Sequence, residues 1–141
     1  MKKILVDLNI ILDFLNKRHD HTSAAHIYNL CKNKKIRGFI CSHEITTLAY
    51  FLEKQRYLEA TRKKIIINLL DTFSMISITE TVLRNSLESR ISDFEDAVIE
   101  QSALKEKIDC IISRDLKDFK NSQVPAYTAT EYLSSIDEDT E

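Results

Sequence analysis

Short apolar runs alternate with longer segments of helical periodicity along this chain. Five runs predict strands, at residues 4–7, 39–41, 75–78, 110–113 and 126–127. Between them, apolar residues recur every three or four positions, as in helices that bury one face. These segments predict helices at residues 9–16, 23–33, 58–71, 80–88 and 93–107, and another that begins at Ser42.

This alternation constrains the fold strongly. A helix between two strands returns the chain to the same end of the sheet, so the strands run parallel and the helices cover both faces. We therefore expect an α/β fold, a single three-layer α/β/α domain with a parallel sheet of about five strands. After the last strand, Thr128-x-x-Glu131 has the form of a helix capping box.

Length and composition are those of one domain. The 141 residues, 43% of them hydrophobic, are enough for one core. We expect residues 1–135 to form the domain and residues 136–141, four of which are acidic, to form a disordered tail. Apolar stretches are far shorter than the roughly 18 residues of a membrane helix. The three cysteines form no close pair, which favours the reducing cytoplasm.

The glycine content excludes two common functions of parallel α/β sheets. Gly38 is the only glycine. The dinucleotide-binding turn and the phosphate-binding loop both need several glycines at fixed spacing. We therefore do not expect this sheet to bind NAD or ATP through either motif.

Acidic residues follow the predicted strands. Asp7, Glu44 and Asp115 each come soon after an apolar run, and Asp96 opens a predicted helix. Since the carboxyl ends of parallel strands meet at one edge of a sheet, these acids should gather there. Carboxylates that lack basic partners repel one another and need a cation. The pattern predicts a site for a divalent metal.

Some of these acids also have a purely structural explanation. Ser92-x-x-Glu95 has the form of a capping box, and acids in a first helical turn suit the helix dipole. A capping box does not explain Asp96 together with Asp93. Asp7 is the hardest to explain structurally, because an ionised carboxylate at the end of an apolar strand is costly unless it is paired or binds metal.

The charge distribution leaves room for an RNA-binding surface. The formal net charge is −2, but without the four acids after residue 136 basic residues outnumber acidic ones by two. Candidate basic patches lie at residues 32–37, 62–64 and 114–120, the last of which includes Arg114. Such runs are equally typical of solvated helix ends.

Four segments resemble the motifs of the PIN-domain nucleases. They occur in the family's order, and the likeness extends from about residue 3 to residue 133. The segments are Asp7-Leu8-Asn9-Ile10-Ile11-Leu12-Asp13, Ser42-His43-Glu44, Asp93-Phe94-Glu95-Asp96-Ala97 and Ile111-Ile112-Ser113-Arg114-Asp115-Leu116-Lys117-Asp118-Phe119. The likeness is greatest to the small bacterial members that act as the ribonuclease toxin of VapBC-type toxin–antitoxin pairs. For Asp13, a position on the helix surface or a buried hydrogen-bonded role is the simpler interpretation.

The resemblance implies a Mg²⁺- or Mn²⁺-dependent endoribonuclease that leaves a 5′-phosphate and a 3′-hydroxyl. The family's acidic quartet corresponds to Asp7, Glu44, Asp96 and Asp115. Of these, Asp7, Asp96 and Asp115 are the expected metal ligands, and Glu44 binds the metal or orients the attacking water. The expected auxiliary residues are Asn9, Asp93, Ser113 and Asp118. The implied partners are an RNA substrate, a protein antitoxin and, in a homodimer, a second copy of the chain.

Two other classes of function remain open at this point. A noncatalytic PIN-fold interaction module would keep the fold without the activity. A phosphotransfer or phosphatase-type domain also places acids after the first strand of a parallel sheet. The haloacid-dehalogenase pattern requires Asp-x-Asp, however, and here Asp7-Leu8-Asn9 stands instead.

Overall fold

The computed structural model describes residues 1–139, and the side chains of residues 1–136. Its strands are β1 (Lys3–Val6), β2 (Arg37–Cys41), β3 (Ser74–Ile76), β4 (Cys110–Ile112) and β5 (Ala126–Tyr127). Its α-helices are α1 (Leu8–Asn16), α2 (His21–Lys32), α3 (Ser42–Lys54), α4 (Glu59–Thr72), α5 (Glu80–Leu87), α6 (Phe94–Lys105) and α7 (Ala129–Asp139). A 3₁₀ helix, Leu116–Phe119, lies between β4 and β5.

The strands form one parallel sheet in the order β3-β2-β1-β4-β5. This confirms the predicted α/β architecture with five parallel strands. In the central strand, Leu5 is in register with Phe39 of β2 and Ile111 of β4. The chain proceeds from β1 through β2 to β3, and then returns to place β4 on the other side of β1. The order therefore reverses at β1, where open α/β sheets form a crevice at the carboxyl ends of the strands.

Helices cover both faces of the sheet because side chains of a strand alternate between its faces. Ile4 and Val6 of β1 pack into one hydrophobic cluster with side chains of β2, β4 and the helices α1, α2, α3, α4 and α7. Leu5 packs into a second cluster on the opposite face, with Ala97 and Ile99 of α6. Both faces of the sheet are thus covered by hydrophobic packing. Polar side chains that could act on a ligand are therefore expected at the edge where the strands end.

Two helix starts test the predicted capping boxes. Thr128 and Glu131 form theirs as expected, because the Thr128 N–H donates to Glu131 Oε1 at 3.0 Å and the Glu131 N–H donates to Thr128 Oγ1 at 3.1 Å. The prediction for Ser92 and Glu95 is wrong. Asp93 is the N-cap of α6 instead, and its Oδ1 accepts the Asp96 N–H at 3.0 Å. An aspartate at the next position offers an equivalent acceptor, which sequence alone does not rank below serine.

The C-terminal helix continues into the segment expected to be disordered. Helix α7 ends at Asp139, and residues 140 and 141 lie outside the described part of the chain. A disordered tail at residues 136–141 therefore stays a prediction. Within residues 1–139, every helix is too short or too polar to cross a bilayer.

The only glycine lies where no side chain fits. A Cβ at Gly38 in β2 would lie 2.5 Å from Cys31 Sγ and 2.7 Å from Phe73 Cδ1. Because overpacking a core is destabilising, we expect Gly38→Ala to lower the free energy of unfolding by about 1–3 kcal/mol, measured by urea denaturation. Cys31→Ala in the same chain should restore only part of this loss, because Phe73 remains. An unchanged urea midpoint in Gly38→Ala would contradict this packing.

Candidate active site

Two carboxyl groups are buried side by side where β1 and β2 end. Asp7 connects β1 to α1 and is 8% exposed, and Glu44 in the first turn of α3 is 1% exposed. Glu44 Oε2 accepts the Leu8 N–H at 3.1 Å, which joins the start of α3 to the start of α1. The Glu44 and Asp7 side chains also hydrogen-bond to each other, and no N–H or O–H of the other described residues donates to the buried Glu44 Oε1.

A serine fixes Asp7 from the other side. Ser113, fully buried just after β4, donates its hydroxyl to Asp7 Oδ2 at 3.0 Å. The Asp115 N–H donates to the same Ser113 oxygen at 3.3 Å. Parallel pairing of β1 with β4 thus brings residues 106 positions apart in sequence into one hydrogen-bonded chain.

Burial makes ionisation of the Asp7–Glu44 pair costly. Burial raises the pKa of Asp7, and the hydrogen bond from Ser113 opposes that effect. The pKa of Glu44 is raised well above its usual range, first by burial and then by the negative charge of Asp7. None of the ion pairs among the described residues involves either carboxylate.

A third carboxyl group, that of Asp96, comes from the helix layer on the opposite face of the sheet. It is close enough for the charge of Asp7 to act on it. Asp96, in the first turn of α6, is partly exposed. The pKa of Asp96 is raised to about 7, first by burial and then by the nearby negative charges of Asp93, Asp118, Asp7 and Glu95. The acids that follow β1, open α6 and lie in the 3₁₀ helix therefore repel one another at this edge of the sheet.

The remaining predicted residues lie around this cluster in different roles. Asn9 is in the first turn of α1, and its backbone N–H helps to lower the pKa of Asp7. Asp93 has a structural function as the cap of α6, in addition to its charge. Asp118, in the 3₁₀ helix, acts on Asp96 directly. Asp115 is joined to the cluster only through its backbone N–H, which donates to Ser113, and its charge is not among those that shift the pKa values of Asp7, Glu44 and Asp96.

Two neighbouring residues were not among the predicted site residues. His43 Nε2 lies 3.9 Å from Glu95 Oε1, and burial lowers the pKa of His43 while Glu95 opposes that shift. Glu95 also raises the pKa of Glu44. The signal for His43 was its place beside Glu44 in sequence. Glu95 had been explained by a capping box that the structure does not form.

The basic patch predicted around Arg114 is partly neutralised. Arg114 Nη1 lies 2.7 Å from Asp13 Oδ1, and Asp13 is buried. Of the two structural roles expected for Asp13, the structure shows the buried, hydrogen-bonded one. Arg114 is committed to this ion pair, which joins α1 to the segment after β4.

The carboxylate oxygens at this edge of the sheet are ligands that hard cations such as Mg²⁺ prefer. The side chains are not, however, already arranged around one metal position. In the described part of the chain, no group of three or more His, Cys, Asp or Glu side chains is arranged to hold a metal ion. Mg²⁺ keeps several of its waters and needs only one or two carboxylates. Glu44 Oε1 and the mutually repelling acids provide oxygen ligands of this kind.

Comparison with known proteins agrees with this arrangement. The family model of the PIN domain matches residues 3–117. The chain belongs to the PIN-domain family. No curated protein matches this PIN domain.

Solved structures with the same fold come from several bacteria. VapBC2 from Rickettsia felis, bound to a promoter DNA fragment, has a TM-score of 0.67 and 20% identity over 89% of this chain and 98% of its own. FitAcB from Neisseria gonorrhoeae has a TM-score of 0.62 and 14% identity over 90% and 98%. VapC20 from Mycobacterium tuberculosis, a Sarcin-Ricin loop cleaving toxin, has a TM-score of 0.62 and 18% identity over 86% and 98%. At these identities the likeness establishes the fold.

The raised pKa of Asp96 gives a prediction for the metal-free protein. The folded state holds this proton more tightly than the unfolded chain does, since the pKa rises from 3.8 to about 7. The contribution of Asp96 to stability is therefore full below pH 4 and is lost as the pH rises through about 7. In EDTA at pH 8, we expect Asp96→Asn to be more stable than wild type by on the order of 1 kcal/mol, allowing for solvent screening. Thermal unfolding from pH 4 to pH 8 measures this difference, and a difference that does not change with pH would contradict it.

Proposed function

We propose that this PIN domain is a Mg²⁺- or Mn²⁺-dependent endoribonuclease that hydrolyses RNA phosphodiester bonds. The observation that carries the proposal is the collection of carboxyl groups at the carboxyl edge of β1, where burial and mutual repulsion raise the pKa values of Asp7, Glu44 and Asp96. Perturbed carboxyl groups in such a crevice are typical of functional sites. Membership of a nuclease-containing family supports the same conclusion.

Three carboxylates would hold the cation, namely Asp7, Asp96 and Asp115. When bound, a divalent cation makes water more acidic and offsets the negative charge that develops on the phosphate. Glu44 can orient the attacking water through Oε1, to which no N–H or O–H of the other described residues donates. Ser113 holds Asp7 in place by donating its hydroxyl to Asp7 Oδ2.

The auxiliary residues act through position and charge. Asp93 fixes the first turn of α6 and thereby the backbone of Asp96. Asp118 adds negative charge to the cation site from the 3₁₀ helix. Asn9 lies in the first turn of α1, two residues after Asp7. Its backbone N–H hydrogen-bonds to the Asp7 carboxylate and thereby lowers the pKa of Asp7.

The biological role that fits best is that of the toxin of a toxin–antitoxin pair in the cytoplasm. Structures similar to this chain include a toxin–antitoxin complex from Klebsiella pneumoniae and VapC20, which is described as a Sarcin-Ricin loop cleaving toxin. A strongly acidic cleft suits inhibition by a basic side chain of an antitoxin, which would replace the cation. A homodimer is part of the same proposal, as is a cellular RNA as substrate.

One observation favours a second candidate, a noncatalytic PIN-fold interaction module. Within residues 1–139 there is no preformed cluster of three metal-ligating side chains. The raised pKa values of the edge carboxyls argue against it, since a protein-binding surface does not need buried carboxylates without basic partners. The phosphotransfer alternative still lacks the second aspartate of Asp-x-Asp.

A matched pair of Asp→Asn variants tests the proposed catalytic site. Asp96→Asn should lower the rate of RNA cleavage in Mg²⁺ at least about a hundred-fold, because the amide cannot supply the charge that holds the cation. Cleavage of a labelled RNA under single-turnover conditions measures the effect.

The control for that experiment is Asp109→Asn. Asp109 precedes β4 at the opposite edge of the same sheet, where its Oδ2 accepts the Lys3 N–H at 2.8 Å. This variant should cleave at the wild-type rate. If both variants cleave alike, Asp96 is not a metal ligand.

The proposed role as a toxin predicts an effect on cell growth. Induced expression of the chain alone should arrest growth, and Asp7→Ala should relieve the arrest because a principal ligand is lost. Growth curves, with immunoblots to compare protein levels, measure both effects. Normal growth with abundant, folded wild-type protein would argue against a toxin while leaving the nuclease activity to be tested in vitro.

A further inference from the structure

A fully buried carboxylate lies outside the proposed chemistry. Glu100 of α6 is 1% exposed and is one helical turn beyond Asp96, on the same side of the helix. A buried carboxylate needs several donors to offset its lost hydration. The identity of those donors indicates what Glu100 does.

Three donors from different segments converge on Glu100. Its Oε1 accepts the Ser89 hydroxyl at 2.6 Å and Gln101 Nε2 at 2.9 Å, and its Oε2 accepts the Gln123 N–H at 2.8 Å. Ser89 Oγ in turn accepts the Ile91 N–H at 3.0 Å. Hydrogen bonds to a carboxylate are stronger than those between neutral groups, so this network ties the three segments firmly together.

The tied segments are those that carry acids of the cluster. Residues 88–93 lead from α5 to Asp93, which caps α6 beside Asp96. Gln123 comes shortly after the 3₁₀ helix that contains Asp118, and the Ser122 N–H donates to the Phe119 carbonyl at 3.0 Å. Glu100 therefore connects α6 to both neighbouring segments.

The hydrogen bonds at Glu100 oppose an electrostatic repulsion that acts one helical turn earlier, at Asp96. At Asp96, the negative charges of Asp93 and Asp118 act against its own. When these carboxyl groups are ionised and no cation is bound, that repulsion favours separation of the start of α6 from the 3₁₀ helix. The bonds at Glu100 hold the same elements together at the next turn of α6.

We propose that Glu100 is a positioning residue, which sets the spacing of Asp93, Asp96 and Asp118 and so prepares this edge to bind a divalent cation. The inference rests on the proposed function. Groups that orient metal ligands typically change metal affinity about 10- to 100-fold when they are removed. A merely structural carboxylate would change stability without changing metal affinity.

Two variants remove parts of the tie. In Glu100→Gln an amide N–H₂ replaces one acceptor and faces groups that themselves donate, and Ser89→Ala removes one donor. The control is Ser86→Ala. Ser86 is also buried, but its hydroxyl donates to the Val82 carbonyl within α5 at 2.7 Å.

The measurements are the shift in melting temperature on titration with Mn²⁺ alone and the Mn²⁺ dependence of RNA cleavage. We expect Glu100→Gln and Ser89→Ala to need about ten-fold more Mn²⁺ than wild type for half of the maximal shift in melting temperature and for half of the maximal cleavage rate. Cleavage by both variants should recover at saturating Mn²⁺. Ser86→Ala should lower the melting temperature of the metal-free protein but keep the wild-type response to Mn²⁺.

These measurements distinguish failure of the inference about Glu100 from failure of the proposed function. If the wild type responds to Mn²⁺ and the two variants respond at the same concentrations, Glu100 is only structural and the inference is wrong. If the wild type neither binds Mn²⁺ nor cleaves RNA, the proposed function fails and the inference fails with it. Loss of cleavage in the variants with unchanged Mn²⁺ binding would also overturn the positioning role.

Discussion

The arrangement of this site depends on the burial of Asp7 and Glu44 beside each other. Two adjacent carboxylates in an apolar surrounding are stable only if donors, a proton or a cation offset their charge. The Leu8 N–H and the Ser113 hydroxyl satisfy one oxygen of each. The order of strands makes this possible, because β2 and β4 flank β1 and bring Glu44 and Ser113 to opposite sides of Asp7.

The second half of the site is less buried and is held differently. Asp96 and Asp118 come from α6 and the 3₁₀ helix, which pack on the other face of the sheet through residues such as Ile99 and Phe119. Hydrophobic packing brings these elements close, while the charges at their ends oppose that approach. The hydrogen bonds of Glu100 join α6 to the segments on either side of it, one helical turn from these charges. Unfavourable charges of this kind are expected where a site serves function at a cost in stability.

Sequence predicted the features that depend on local pattern. The parallel sheet, the position of β5 and the capping box at Thr128 follow from residues close together in the chain. Contacts between distant segments were not predictable in this way. The ion pair of Asp13 with Arg114 joins residues 101 positions apart, and the tie of Glu100 to Gln123 needs the loop after β4 to fold over α6. The error at Ser92 arose because neighbouring residues offer equivalent caps.

Protons and the proposed cation compete for the same oxygen atoms. Raised pKa values at Asp7, Glu44 and Asp96 mean that the metal-free protein retains protons there at a pH where free carboxyl groups have lost them. A cation can bind only after those protons leave, so its affinity and the pH are linked. The same linkage explains how an acidic edge can be stable without a cation and still bind one. Protonation offsets the repulsion when no cation is bound, and the proposed cation would offset it in place of the protons.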